Sequence, residues 1–369
     1  MYYNKKVKNS LYNVLGIAAT LIVIGLLFIY SSSSIFSMEL FGTSTYFIKK
    51  QLIGVGIGLL SFYCVTKISL DFVYFLTPYA LLGSFFLTAL TLVPHFGITI
   101  YGSSRWLNLF FITFQPSELL KINLVLYIAR FVADREKQPF SFFFSYLPLL
   151  IIIGITSILL LAQPDFGLTV TLAATAFLML FMAGFPMRYL CATVAATLPL
   201  VILLILKYPY RLQRIFTFLD PWKDPQGAGF QIIQSLIAIG SGHWFGSGIS
   251  YSKQKFFYLP MQHTDFIFSI IAEETGFIGC CIIIFLFFLL LYFGMKVSWH
   301  LKNSFYSLAT KGFISLITFQ AIINIFVTTG LLPTKGIGLP FISYGNSSLI
   351  TLFIMLGLMY SMVDKENPT

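Results

Sequence analysis

Apolar runs of about 20 residues, repeated along the whole chain, constrain this sequence more than any other feature. Ten can be read, at roughly 11–33, 51–67, 73–94, 117–133, 143–162, 168–185, 188–206, 264–295, 312–332 and 347–363. Each is long enough to cross a hydrocarbon layer roughly 30 Å thick as an α-helix. The runs are continuous and do not alternate, so they read as helices and not as strands of a membrane β-barrel. Only these two forms satisfy every backbone polar group in lipid. The expected fold is an all-α polytopic membrane protein of about ten transmembrane helices, one domain over residues 1–369. Composition agrees: 57% of residues are hydrophobic and 10% are charged, against roughly a quarter charged in soluble domains.

Orientation follows from the basic residues of the short loops. One side collects Lys5, Lys6, Lys8, Lys67, Arg130, Arg135, Lys137, Arg188, Lys296, Lys302, Lys311 and Lys365, while the other holds Lys49, Lys50, Arg105 and Lys335. The first side is expected to be cytoplasmic and to carry both termini. The net charge of +10 is read as this bias, so it gives no argument for nucleic-acid binding. The first apolar run ends in Ser31-Ser32-Ser33-Ser34 without a small-x-small cleavage site, and a retained first span is expected. Cys64, Cys191, Cys280 and Cys281 lie in or beside apolar runs without zinc-type spacing and read as packing residues.

Polar chemistry concentrates in a long segment at about 207–262, the expected outer loop between the seventh and eighth spans. Its Arg211, Arg214, Lys253 and Lys255, with the aromatics around them, suit an anionic lipid-linked ligand at the interface, because arginine forks onto phosphate oxygens and aromatic rings settle at headgroup level. They suit plain interfacial anchoring equally well. The glycines of 240–248 match neither a P-loop nor a dinucleotide fingerprint. Asp265 opens the eighth span, where the helix dipole favours a carboxylate. It could take a proton from a sugar hydroxyl, or it and Thr264 could cap the helix.

Glu118 and Lys121 stand three apart just after Pro116 and suit an ion pair, functional or structural. Gln163-Pro164-Asp165 brings another acid to the same surface. Glu273 and Glu274 read as buried polar residues that fix helix packing. The stretch 333–348 is too rich in glycine and proline for a helix and reads as irregular backbone lining a cavity.

Arg105-Trp106, Phe114-Gln115-Pro116-Ser117-Glu118 with Lys121, Gln163-Pro164-Asp165, Asp224-Pro225 with Gly227 and Gly229, Gln234-Ser235, His263-Thr264-Asp265-Phe266-Ile267-Phe268, Glu273-Glu274 and Ser343-Tyr344-Gly345 follow one another in order. Together they resemble the SEDS family, the bacterial membrane glycosyltransferases that polymerise peptidoglycan in division (FtsW type) and elongation (RodA type). Residues 253–260 and Pro333-Thr334-Lys335-Gly336 look more like the FtsW type. Asn346, Thr275 and His243-Trp244 depart from the family pattern without touching Asp265.

The resemblance implies a protein of the bacterial cytoplasmic membrane whose substrate is lipid II and whose product is a β-1,4 glycan strand made at the outer face. It implies Asp265 as the base on the acceptor hydroxyl, with Glu118 and Lys121 ordering the cavity nearby. Arg105, Arg211, Arg214, Lys253, Lys255, His263 and Ser343 are candidate contacts to substrate or pyrophosphate, alone or with a divalent cation, Mg or Mn. The implied partners are a class B penicillin-binding protein and other division proteins. A lipid II flippase, which should show broken helices near the membrane midplane, and a non-catalytic division scaffold are the competing functions.

Overall fold

The computed structural model describes residues 2–366 apart from 95, 101, 102, 110, 111, 208, 228, 256–259 and 261. Its helices are α1 (Tyr2–Phe41), α2 (Tyr46–Lys67), α3 (Leu70–Leu90), α4 (Pro116–Asp134), α5 (Leu147–Ala162), α6 (Phe166–Met182), α7 (Met187–Lys207), α8 (Pro209–Leu219), α9 (Phe230–Ser241), α10 (Ile267–His300), α11 (Ser304–Thr328) and α12 (Asn346–Glu366). The ten apolar stretches fall largely on α1 to α7 and α10 to α12. Among the described residues, seven helices have the length and apolarity to cross a membrane: α1, α2, α3, α5, α10, α11 and α12. Of the other three, α4 carries Glu118, Lys121, Arg130 and Asp134 along its length, and α6 is 17 residues long.

The helix boundaries have local causes. Pro116 starts α4 where a missing N–H costs nothing. Ser69 caps α3, Asp165 caps α6, and Asn303 Oδ1 accepts from Phe305 N and Tyr306 N at the start of α11. In α11 and α12, 67% of the spanning window is buried, against 17% in α2 and 22% in α3. The first two are therefore central and the last two peripheral. Phe72, Phe75, Tyr79, Leu82 and Phe86 form an exposed stripe along α3, which suits a lipid-facing surface.

Central α4 is held to α12 by a buried ion pair. Lys121 Nζ lies 2.6 Å from Glu118 Oε2, with the two side chains 2% and 8% exposed. Thr351 Oγ1 of α12 donates to the same carboxylate oxygen at 2.9 Å.

Three features depart from the sequence reading. A small antiparallel sheet precedes α4, with β1 (Gly97–Ile100), β2 (Ser103–Leu109) and β3 (Ile112–Phe114) in the order β1-β2-β3, so the chain is not wholly α. The long segment 207–262 is partly helical, and α9 is built into the bundle. Ser235 Oγ of α9 lies 2.6 Å from Ser269 Oγ of α10 and donates to Thr328 O of α11 at 2.6 Å.

Third, α10 is broken at Gly276, whose φ of 68° and ψ of −164° leave the helical region. The glycine-rich stretch 242–248 fills the break. Phe277 N and Ile278 N donate to His243 O and Trp244 O, while Ser247 N and Gly248 N donate to Glu273 O and Glu274 O. A break in a membrane helix is tolerated when other protein groups satisfy the freed backbone in this way. A Cβ at Gly276 would also run into the backbone of Trp244, Phe245 and Gly246.

Gly276→Ala should therefore destabilise the protein by more than the roughly 1–3 kcal/mol of a strained residue alone. Gly83→Ala in α3, with open space around its Cβ position, should not. Thermal unfolding in detergent distinguishes the two, and equal unfolding temperatures would refute the role given to the break.

The buried pair gives a second test. Glu118→Ala or Lys121→Ala alone strands a buried charge and should cost roughly 3–5 kcal/mol. The double variant Glu118→Leu/Lys121→Met should recover most of that stability. Additive losses in the same unfolding measurement would contradict the pairing.

Candidate functional site

The N-terminal ends of α4, α6, α10 and α12 meet the C-terminal ends of α3 and α11 at one end of the bundle. The contacts that fix this are polar. Gln163 Nε2, just before α6, donates to Thr88 O and Thr91 Oγ1 of the α3 end at 3.2 and 2.6 Å. Asn324 Nδ2 of α11 donates to Asp265 O at 2.8 Å and to Ile337 O at 2.7 Å, so one buried amide positions both the entry to α10 and the irregular stretch before α12.

The sheet delivers Arg105. Ile98 pairs with Trp106 and Thr99 with Ser104, which leaves Arg105 as the unpaired residue of a bulge on β2. Bulges re-aim a side chain out of the regular alternation. Arg105 Nη1 lies 3.3 Å from Asp165 Oδ2, Nη2 donates to Pro164 O at 2.8 Å, and Nε donates to Gln163 O at 3.4 Å. Asp165 is occupied twice, because its Oδ1 also accepts from Leu168 N at 3.0 Å as the cap of α6.

Asp265 sits two residues ahead of α10, partly buried. A Cβ built on Gly336 would stand 3.3 Å from Asp265 Oδ2 and 3.9 Å from Arg105 Nη1, so carboxylate, guanidinium and bare glycine backbone converge. The N-cap of α10 is Phe266, with no side-chain cap hydrogen bond, and among the described residues no donor is hydrogen-bonded to the Asp265 carboxylate. The capping role is therefore not the one this carboxylate has. Burial lifts its pKa to about 7, with Arg105 pulling down and Asp165 pushing up.

Two cations flank this group. Arg214 of α8 is exposed and its Nη1 donates to Thr334 O at 3.2 Å. Lys335 Nζ lies 5.0 Å from the centre of the Phe166 ring. Burial lowers the pKa of Lys335, opposed by Asp165 and reinforced by Arg214. Lys335 and Asn324 were not among the sequence candidates. Asn324 is legible as a lone amide inside the apolar run Ile322-Ile323-Asn324-Ile325-Phe326. Lys335 is the one cation of the Gly/Pro-rich stretch 333–348.

Other candidates lie elsewhere. Lys255 is buried, donating to Ser250 O with its Nζ 4.0 Å from Glu274 Oε1. Glu274 accepts from Ser31 Oγ at 2.6 Å, while Glu273 accepts from Ser252 Oγ and from Lys253 N at 2.8 Å. This segment is thus stapled to α10, with Lys255 as an internal counter-ion to Glu274. Lys253 itself is exposed.

His263 is buried in an aromatic cage of Phe36, Phe47 and Tyr344, with ring centroids at 5.8, 4.4 and 5.7 Å. Burial drives its pKa down to about 4, so its ring packs among these aromatics in the neutral form. Ser343 Oγ donates to Thr264 O at 2.6 Å and accepts from Leu339 N at 2.7 Å, which makes it a brace for the loop. The side chain of Arg211 lies outside the described residues. Among the described residues no three His, Cys, Asp or Glu side chains come together. Arg105 stands with Asp165 and Asp265 where a metal would have to be, so the protein alone does not assemble a metal-ligand set there.

The profile of the FtsW/RodA/SpoVE cell cycle proteins matches residues 12–367. A probable peptidoglycan glycosyltransferase FtsW of Geobacter sp. (strain M18) is 40% identical over 356 residues, 95% of each chain. The stage V sporulation protein E of Bacillus subtilis (strain 168) is 38% identical over 348 residues, 94% of each chain. Among solved structures, a chain of a peptidoglycan synthase complex that coordinates polymerization and crosslinking superposes with TM-score 0.80 at 29% identity, covering 97% of this chain and 98% of that one. The rod shape determining protein RodA of Thermus thermophilus superposes with TM-score 0.72 at 26% identity over 97% of each chain. This chain, a multi-pass membrane protein, belongs to the FtsW/RodA/SpoVE family, the SEDS proteins.

Proposed function

We propose that this chain is a peptidoglycan glycosyltransferase that polymerises lipid II into β-1,4 glycan strands at the outer face of the cytoplasmic membrane, for septal synthesis during division. The observation that carries the reading is that the Asp265 carboxylate, partly buried beside Arg105, accepts no hydrogen bond among the described residues, whereas the acids around it are engaged. Glu118 is held by Lys121 and Thr351, Asp165 by Arg105 and Leu168 N, and Glu273 by Ser252 and Lys253 N. Asp220 pairs with Lys223 at 3.6 Å, and Asp224 has its own contacts. A general base needs free lone pairs and a pKa near the working pH. Asp265 combines both.

In the proposed reaction the acceptor sugar hydroxyl oxygen attacks the anomeric carbon of the donor and its proton passes to Asp265. The bond from that carbon to the pyrophosphate oxygen breaks with its electron pair, and inversion gives the β linkage. Arg105, Arg214 and Lys335 supply positive charge for the departing pyrophosphate, in the manner of preorganised electrostatic stabilisation. A divalent cation carried in by the pyrophosphate would add to the same neutralisation.

The named relatives support a division role, and the synthase-complex neighbour supports a class B penicillin-binding protein as the transpeptidase partner. The flippase alternative gains one observation, the break in α10. That break is filled by residues 242–248 with its backbone groups satisfied, which suits a static cavity wall better than a moving gate.

Purified full-length protein, reconstituted with labelled lipid II with and without its cognate transpeptidase, should give polymer on a gel. Asp265→Asn should reduce polymerisation by at least about two orders of magnitude, within the range that general bases contribute, while insertion and partner binding persist. Asp265→Ala should be as inactive, with no loss of thermal stability, because the carboxylate caps nothing. Near-parental polymerisation by the Asn variant would sink the assignment, and probe movement across the membrane without polymer would favour the flippase.

A further inference from the structure

We infer that the end of the bundle opposite Asp265 holds a second site, which binds the phosphate headgroup of an anionic lipid. The two ends are separated by the length of α4, 19 residues or about 28 Å. A cavity of about 440 Å³ opens there between the C-terminal ends of α4, α6 and α10, the start of α11, and the π-helical turn Phe142–Tyr146 that leads into α5. Its volume is in the range of sites that hold organic ligands.

The charge of the lining is unbalanced. Arg135, Lys302 and Lys311 face the cavity against a single acid, Glu136, whose Oε2 accepts from Ser304 Oγ at 2.5 Å. Three other cations at this end are matched by acids, Lys8 with Asp364 at 3.4 Å, Lys365 with Asp71 at 2.7 Å and Arg130 with Asp134 at 3.6 Å, while Lys67, Arg188 and Lys296 lie over the rings of Tyr63, Tyr189 and Tyr292 outside the cavity. Among the described residues no carboxylate pairs with Arg135, Lys302 or Lys311. Lys311 is partly buried two turns into α11, where an unmatched ammonium near lipid is costly unless an anion meets it. The Arg135 guanidinium is braced over the Phe131 ring, 3.7 Å from its centroid, which holds a planar fork in place for phosphate oxygens.

The rest of the lining selects a lipid over a soluble anion. Phe131, Phe140, Phe185 and Leu308 give the cavity an apolar wall. Phe143 and Phe144, between the lining residues Phe140 and Ser145 in the chain, are 69% and 75% exposed, and Trp299 at the end of α10 is 71% exposed. Such aromatics settle at the headgroup level of a membrane. Phosphate at the basic rim with an acyl or polyprenyl chain along the aromatic wall is the arrangement that basic pockets between membrane helices recognise. This site is independent of the chemistry assigned to Asp265.

The test is native mass spectrometry of the full chain in detergent, titrated with phosphatidylglycerol, phosphatidylcholine or undecaprenyl diphosphate, with inorganic phosphate as competitor. Retention of an anionic lipid over phosphatidylcholine is expected, and the better-retained of phosphatidylglycerol and undecaprenyl diphosphate identifies the source of the headgroup. The variant Arg135→Gln/Lys302→Gln/Lys311→Gln should lose that preference, by about fivefold per charge removed. Lys67→Gln/Arg188→Gln/Lys296→Gln removes as many charges at the same end without touching the cavity lining and should keep it. Should the triple variant fold poorly, Lys311→Met alone, which keeps an apolar stem, should lose about fivefold. The inference is overturned if phosphatidylcholine is held equally, if free phosphate competes at the lipid's own concentration, or if both variant sets lose affinity alike.

Discussion

A bilayer offers no water to an unpaired backbone group, and the rest of this structure follows from that constraint. Regular helices meet it within themselves. Every irregular stretch has to be placed where another segment completes its hydrogen bonds. The break at Gly276 exists because residues 243–248 supply and accept the four bonds the helix gives up. The approach to α10 is irregular because Asn324 holds the Asp265 carbonyl. The stretch before α12 is braced by Ser343 against Thr264 and by Asn324 against Ile337. The site is assembled from these exceptions, and its carboxylate stands at the seam between them.

Charge is distributed by the same logic. Most ionisable side chains that enter the bundle are neutralised by a neighbour: Lys121 by Glu118, Lys255 by Glu274, Arg105 by Asp165. Removing one partner of such a pair leaves an uncompensated charge, so the pairs specify the packing more than they add to its stability. Asp265 is different because it takes field from Arg105 without a direct bond, and burial keeps its proton affinity high. A spent carboxylate would make a better-packed protein and a poorer base. The unmatched cations at the opposite end follow the same rule with opposite sign, which is why they point to an anion from outside the chain.

Much of this was legible in the residues. The apolar runs anticipated the long helices, seven of which among the described residues are long and apolar enough to cross a membrane. The spacing of Glu118 and Lys121 suited the pair that forms, and the motif order carried the family. What was not legible depended on long-range geometry. No local signal says that β2 bulges at Arg105, since the bulge exists only in register with β1. Lys255 and His263 look like ligands in sequence because charge and imidazole are visible there, whereas Glu274 and the ring of Phe47 that absorb them are distant in the chain. The glycines of 240–248 matched no phosphate-binding pattern because their role is close approach to a broken helix, which requires knowing that the helix is broken.

The central claim is that Asp265 works as a base held near neutrality by burial and by Arg105. The most direct test is the pH profile of kcat/KM for lipid II polymerisation by the parent and by Arg105→Gln. Only the ionised carboxylate can accept a proton, so the parental rate should rise with pH through a midpoint of about 7. Loss of the guanidinium removes the charge that lowers this pKa, so the midpoint of the variant should move to higher pH whatever happens to its maximal rate. A parental profile flat from pH 5.5 to 8.5 (an assay window spanning roughly 1.5 units either side of that midpoint), or a midpoint unmoved in Arg105→Gln, would contradict the account.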